Sequence, residues 1–327
     1  MRVELSDDPT TFRSAAWNEL VLADPFGSFF HTPEYLKLWW EEFGVGRLAI
    51  ARVMDGDDPV AACCFQVEGE TLAFLGGFDV TDYMGPVGSA GSAEAVAKEL
   101  VAAVTGSLEW RRADLRGMPA TSPWFDALAG AFAAQGLRVR ADPEGDGITP
   151  LLHLPRTFEE YLAGIPAKLR HEIRRKRRRL ADVPGGYAVS LADDANLTER
   201  MDRFIALHKT SPGPKGKFMH AGMEIFFRRL GEAFHAPHVF HLAFLEIGGA
   251  PAAGIIGFAY RDTFFLYNSA FDREFAHLSP GMVLIADAIA GAIDQGRVVF
   301  DLLKGDLDYK SRFGPEPRGV GRLVVER

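Results

Sequence analysis

Apolar positions along the chain alternate between a period near two and a period near 3.6, and this alternation runs through the same order twice. Residues 11–22 and the stretch opening on Thr32-Pro33-Glu34 space their apolar side chains as amphipathic helices. Three short apolar runs follow, at 48–54, 60–67 and 71–75, separated by the charged turns DGDDP and EGE; they predict an antiparallel meander. A helix over about 93–107, a strand over 113–115 ending in Arg116-Gly117, a helix over 124–135 and a strand over 137–140 complete the first series. Residues 142–147 (DPEGDG) read as a loop and mark the domain boundary.

The second series begins with helical patterns at 158–162 and 168–179. A strand at 187–191 and helices at 197–208 and 221–233 follow. Residues 242–270 then align with 48–77: strand, Gly/Asp turn, Pro, small-residue strand, charged turn, aromatic strand. Each meander leads to a helix and a strand with a similar ending, DLRG at 114–117 and DLLKG at 301–305. Two divergent copies of one unit are predicted, over 1–147 and 148–327. Only the second copy has Ser279-Pro280-Gly281 at its helix start. There a Ser hydroxyl suits a free first-turn N–H and Pro suits the first helical position. Leu284, Ile285, Ala288, Ile289, Ala292 and Ile293 keep helical spacing until Gly296. A helix N-terminus beside the end of a strand offers N–H groups to an anion.

Composition adds that the chain is globular: 327 residues, 47% apolar, 24% charged. Residues 1–12 lack the apolar core of a signal peptide, and no run reaches the roughly 20 apolar residues of a membrane helix. Membrane insertion is therefore not expected. The adjacent Cys63 and Cys64 point to opposite faces of a strand, as befits a reduced, cytoplasmic protein. The net charge of −8 conceals KLRHEIRRKRRR at 168–179, with eight Lys and Arg against one Glu. That stretch carries +7, leaving −15 elsewhere, which fits one localised anion contact and not DNA binding over a broad surface. His235, His238 and His241 lack a shared helical face and a carboxylate or Cys partner, so no metal is expected. SPGPKGK at 211–217 does not match a nucleotide P-loop and reads as a loop beside the cleft.

The meander, the SPG helix start and the strand ending D-x-x-x-G-x-x-x-Y-K (Asp301, Gly305, Tyr309, Lys310) resemble the GNAT acyltransferase superfamily. More narrowly they resemble its tandem branch, which includes the Fem-type aminoacyl transferases and the BioF2-like, cellulose-biosynthesis-associated acetyltransferases. Thr32-Pro33, Trp39-Trp40, Asp82-Tyr83, Lys168, Arg170, His208 and Phe218 also fall in matching order. The resemblance implies an α/β (α+β) fold of two tandem GNAT-like domains, each a mixed, mostly antiparallel sheet flanked by helices. It implies N-acyl transfer from acetyl-CoA or another acyl-CoA to an amine of a small molecule or peptide. The usual Arg/Gln-x-x-Gly-x-Gly/Ala loop is absent; 276–281 (AHLSPG) takes its place. An aminoacyl-tRNA donor with a peptide or cell-wall acceptor thus remains the alternative, and a non-catalytic binding module the second.

Ser279, Gly281, Met282 and Asn268, with Arg170 and Arg174 on the basic helix, are expected on the donor side. There glycine allows close backbone approach and two Arg one turn apart can grip a phosphate. Tyr309 is the candidate acid for a leaving thiolate and Lys310 the candidate oxyanion or phosphate partner. Asp301 is a candidate base or a buried structural carboxylate, with Asp306 the alternative base. Asp82, Tyr83, His208 and Phe218 are expected on the acceptor side, where Asp82 reads equally well as a turn cap.

Overall fold

The computed structural model describes residues 1–12, 15–77, 79–211, 214–235, 238–305 and 307–327. The described chain divides into two compact units: residues 1–149 with 318–327, and residues 150–317. Residues 318–327, expected in the second unit, group with the first.

The first unit runs β1 (Arg2–Ser6), α1 (Ala15–Ala23), α2 (Pro33–Phe43), β2 (Arg47–Asp55), β3 (Asp58–Glu68), β4 (Thr71–Phe74), β5 (Val87–Gly88), α3 (Ala93–Ser107), β6 (Arg112–Pro119), α4 (Pro123–Ala134) and β7 (Arg138–Asp142). Thr32 caps α2 by accepting the Tyr35 N–H, with Pro33 at the first helical position. Within the helix expected over 11–22, a 3-10 turn occupies Pro9–Phe12 and α1 covers Ala15–Ala23, while residues 13 and 14 lie outside the described residues. Strands β1, β2, β3 and β4 pair antiparallel in order, then β6 joins β4 in parallel. Val96, Leu100, Val101 and Val104 of α3 and Leu128 and Phe132 of α4 close a core over one sheet face with Phe65, Leu115 and Leu323.

The second unit contains most of β8 (Ile148–His153), then α5 (Phe158–Gly164), α6 (Ala167–Ala181), β9 (Tyr187–Leu191), α7 (Leu197–Lys209), α8 (Pro214–Phe218) and α9 (Ala221–His235). The meander β10 (Phe240–Ile247), β11 (Ala250–Tyr260) and β12 (Thr263–Phe271) follows, then α10 (Pro280–Asp294), β13 (Val299–Asp301) and α11 (Leu307–Lys310). The final strand, β14 (Glu316–Glu326), pairs with β6 and β7 of the first unit from Val320 onward. Strands β9, β10, β11 and β12 pair antiparallel, β13 joins β12 in parallel, and β8 pairs antiparallel with β13. The buried face of α10, from Met282 to Ile293, packs with Ile255, Leu266 and Phe300. Both sheets are mixed and mostly antiparallel. Among the described residues, no helix is long and apolar enough to cross a membrane.

The two units therefore repeat one strand order. In each, the third meander strand receives a parallel strand after a helix, and an antiparallel strand lies beyond it. That outer strand is β14 in the first unit and β8 in the second. Neither outer strand, nor β1, was read from the sequence.

Candidate active site

Strands β12 and β13 pair only through Thr263↔Val299, Phe264↔Phe300 and Phe265↔Asp301. Beyond Phe265, β12 continues to Phe271 in register with β11, with a bulge that leaves Tyr267 between the pairs Gly257↔Leu266 and Ile256↔Asn268. The parallel pair thus diverges toward its carboxyl end. Asn268 follows the bulge and is half-buried.

The N-terminus of α10 stands beside the end of β12. A Cβ on Gly281 would lie 4.0 Å from the Phe271 Cβ and 3.7 Å from the Tyr309 hydroxyl. Ser279 departs from the expected cap: it is left-handed (φ 58°) and its side chain makes no capping hydrogen bond. Its carbonyl instead accepts the N–H groups of Met282 (3.2 Å) and Val283 (3.4 Å), because the left-handed turn rotates the hydroxyl away from them. Met282 is buried and its N–H is engaged; the Gly281 N–H has no hydrogen-bond partner among the described residues.

Tyr309 reaches this point from α11. Its hydroxyl donates to the Gly281 carbonyl at 3.3 Å, and its ring meets Phe313 edge-on at 5.9 Å. The turn carrying α11 is fastened at both ends. Asp301, 1% exposed, accepts the Leu303 N–H at 2.8 Å, and Leu303 is left-handed (φ 58°). The buried Lys310 ammonium donates to the carbonyls of Leu303 (2.8 Å) and Lys304. A left-handed non-glycine residue is costly, so the carboxylate and ammonium offset strain at this turn. Asp306 lies outside the described residues.

His208 is buried on α7. Its ring begins a row with Phe218 (5.8 Å), Phe227 (6.2 Å) and the bulge residue Tyr267 (5.5 Å). His208 and Phe218, expected on the acceptor side, thus belong to a row of rings that ends on β12, and Tyr267 itself carries no local signal of a bulge. Pro212 and Gly213 of the neighbouring loop lie outside the described residues.

The eight cations at 168–179 divide into two sets. Arg170 donates to the carbonyls of Leu162 (3.3 Å) and Ala163 (3.4 Å), and Arg174 pairs with Glu159 at 2.6 Å. Lys176 pairs with Glu172 at 3.1 Å and Arg177 with Asp287 at 2.9 Å. Burial pushes the Asp287 carboxyl up despite that partner. Glu172 behaves oppositely: against the effect of burial, Lys176, Arg312 and Arg175 hold its carboxyl below the usual range. Lys168, Arg178 and Arg179 are exposed, with no side-chain partner among the described residues. The two cations expected to grip a phosphate are therefore engaged locally, and the open ones lie on the outward side.

Asp82 and Tyr83 belong to the first unit. Tyr83 is buried, packs edge-on against Phe30 at 6.0 Å, and receives a hydrogen bond from Arg318. Near α9, His235 meets Asp194 at 3.2 Å and the His241 ring lies against Phe264. No group of three or more metal-ligating side chains occurs among the described residues.

Residues 167–311 match the family model described as an acetyltransferase (GNAT) domain. Among solved structures, a conserved protein of unknown function from Bacteroides thetaiotaomicron VPI-5482 aligns over 99% of this chain and all of its own, at 15% identity and a TM-score of 0.68. FemX aligns over 98% of this chain and 97% of its own, at 11% identity and a TM-score of 0.66. L-PGS from Bacillus licheniformis aligns over 90% and 91%, at 14% identity and a TM-score of 0.55. No curated protein sequence matches the chain. At such identities the structural likeness concerns the fold. The diverging strands, the helix N-terminus and the family match together identify residues 167–311 as a GNAT-like acetyltransferase domain in a GNAT-type acyltransferase fold.

Proposed function

We propose that the protein is an N-acyltransferase that moves an acyl group from an acyl-CoA to an amine by direct transfer, with its donor site in the second unit. The observation that carries this reading is the divergence of β12 from β13 beside the N-terminus of α10, where Tyr309 is held on Gly281. A diverged strand edge leaves backbone N–H groups able to hold an acyl oxygen, and the open Gly281 N–H suits an anionic part of the donor. In the reaction the amine nitrogen bonds to the acyl carbon, the carbon–sulfur bond breaks, and the amine proton leaves to a base. The Tyr309 hydroxyl supplies a proton to the departing sulfur. Asp301 and Lys310 serve by fixing the turn that aims Tyr309. His208, Phe218 and Tyr267 form one wall of the second-unit site. Acetyl-CoA and CoA are expected to stabilise the protein by about 2.7 kcal/mol at a hundredfold excess over Kd, read as a rise in Tm; no shift at millimolar CoA would sink this reading.

A second reading uses aminoacyl-tRNA as donor and a peptide or cell-wall precursor as acceptor. The outward, unpartnered Lys168, Arg178 and Arg179 favour it. Retention of tRNA that weakens steeply with salt, together with indifference to CoA, would select it.

A further inference from the structure

The first unit holds a charged groove that the acyl-transfer reading leaves unused. On one face of β6, β14 and β7, away from the core, a cavity of about 470 Å³ is lined by Arg112, Arg138, Arg140 and Arg322, with Glu326 and Asp142 the acidic members. Register places these side chains. Arg112 of β6 and Arg138 of β7 both stand opposite Glu326, and Arg140 stands opposite Val324, the apolar floor. The alternate residues Leu323 and Val325 point into the core.

The guanidinium groups differ in how they are engaged. Arg322 is bidentate on Asp114, at 2.7 Å to each oxygen. Burial would raise the Asp114 carboxyl, yet the hydrogen bonds from Arg322 and Arg116 hold it below the usual range, so that pair is committed. Arg138 pairs with Glu326 at 2.7 Å. Arg112 and Arg140 have no side-chain hydrogen bond or ion pair among the described residues; Arg112 faces Glu326, whose carboxylate is already taken by Arg138, and Arg140 faces Val324. Charge on an edge strand such as β7 protects against aggregation, but Arg112 lies on an interior strand where that purpose does not apply.

We propose that this groove binds a small phosphorylated ligand, with phosphoryl oxygens taken by the forks of Arg112, which stands opposite Glu326, and Arg140, which stands opposite Val324. Strands β6 and β7 flank β14, and Arg112 and Arg140 stand two residues out of register across it, so about 12 Å separates their Cα atoms, a span two extended Arg side chains can bridge through a ligand. A phosphomonoester carries close to two negative charges at neutral pH and matches two open guanidinium groups, whereas one carboxylate neutralises only one. The cavity has the volume of a small-molecule site. The inference is independent of the donor chemistry in the second unit.

Calorimetric titration of the full chain with inorganic pyrophosphate at 0.15 M salt tests the site. Wild type is expected to bind. Arg112→Ala/Arg140→Ala is expected to weaken that binding by at least about tenfold, since two charge-assisted contacts are lost. Arg112→Lys/Arg140→Lys should fall between them, because lysine keeps charge without the planar fork. Both side chains are exposed, so Tm without pyrophosphate should not change; if the double variant is unstable, Arg140→Ala alone gives the same readout. Wild type failing to bind, or the Ala variants binding as tightly as wild type, overturns the proposal.

Discussion

Two parallel strand pairs among the described residues, one in each unit, diverge early: β4 from β6 after Leu72↔Ala113 and β12 from β13 after Phe265↔Asp301. They differ in what lies at the divergence. In the first unit the loop between β4 and α3 turns back, and Met84 enters the gap. Its N–H donates to the Gly117 carbonyl on β6 at 2.9 Å. A Cβ on Gly117 (φ 82°) would meet the Met84 Cε at 2.8 Å, and one on Gly76 (φ 138°), just past β4, would meet the Met84 Sδ at 3.1 Å. Methionine thus packs between two glycines that adopt conformations other residues avoid. Buried groups hold the loop: the Tyr35 hydroxyl donates to the Val80 carbonyl at 2.7 Å, and Asp24 accepts the Gly88 N–H at 3.0 Å and the Trp124 indole N–H at 2.8 Å. In the second unit the corresponding position carries a Pro-Gly helix start and a tyrosine. The same strand order is thus closed by packed side chains in one unit and by a helix start with a tyrosine in the other, which teaches that the meander alone does not make a site.

Three experiments bear on that contrast. The largest effect is expected from Met84→Ala. Deleting a buried methionine wedged between backbones that cannot collapse should cost about 4 kcal/mol, measured by denaturant unfolding, without affecting acyl transfer at saturating substrate. A loss of turnover in the folded variant would show that the first divergence is not mere packing. Next is His31, whose buried ring accepts the Ser28 N–H at 3.3 Å and also bonds the Met84 backbone. Burial lowers its pKa to about 4, with the Asp24 charge opposing that shift. The unfolded chain binds this proton near pH 6.5, so between pH 6.5 and 4 unfolding takes up a proton. Stability should therefore fall by about 3 kcal/mol as pH drops through that window. His31→Gln should flatten this dependence; an unchanged pH profile would remove His31 from the account. The smallest expected effect is Tyr309→Phe in the second unit, lowering kcat about a hundredfold, or about 2.7 kcal/mol, with the donor KM little altered. Full activity would deny Tyr309 its role as acid.

Much of this was legible because it is written locally. Each meander is marked by turns and alternation, and α10 by Pro280 and its apolar stripe. Tyr309 and Gly281, 28 residues apart, could be assigned to one place because both flank β13 in a recognisable order. The unread parts depend on distant partners. β1, β8 and β14 are strands because β2, β13 and β6 await them, and 316–326 (EPRGVGRLVVE) has two glycines and a proline that obscure alternation. The engagement of Arg170 by the Leu162 and Ala163 carbonyls was equally hidden, since it depends on how α5 and α6 abut. Ser279 misled for a backbone reason: a Ser-Pro-Gly start predicts a hydroxyl cap only if the serine is extended, and here it is left-handed.

The grouping of residues 318–327 with the first unit has a consequence for synthesis. Those residues leave the ribosome after all of residues 150–317, yet they supply the interior strand between β6 and β7. The first unit to be translated is therefore the last to be completed, waiting with the edge of β6 uncovered while the second acquires its own full set of strands. Pairings of such long sequence separation form slowly and expose unpaired edges meanwhile. A nascent chain stalled before residue 318 would present a finished second unit and an unfinished first one.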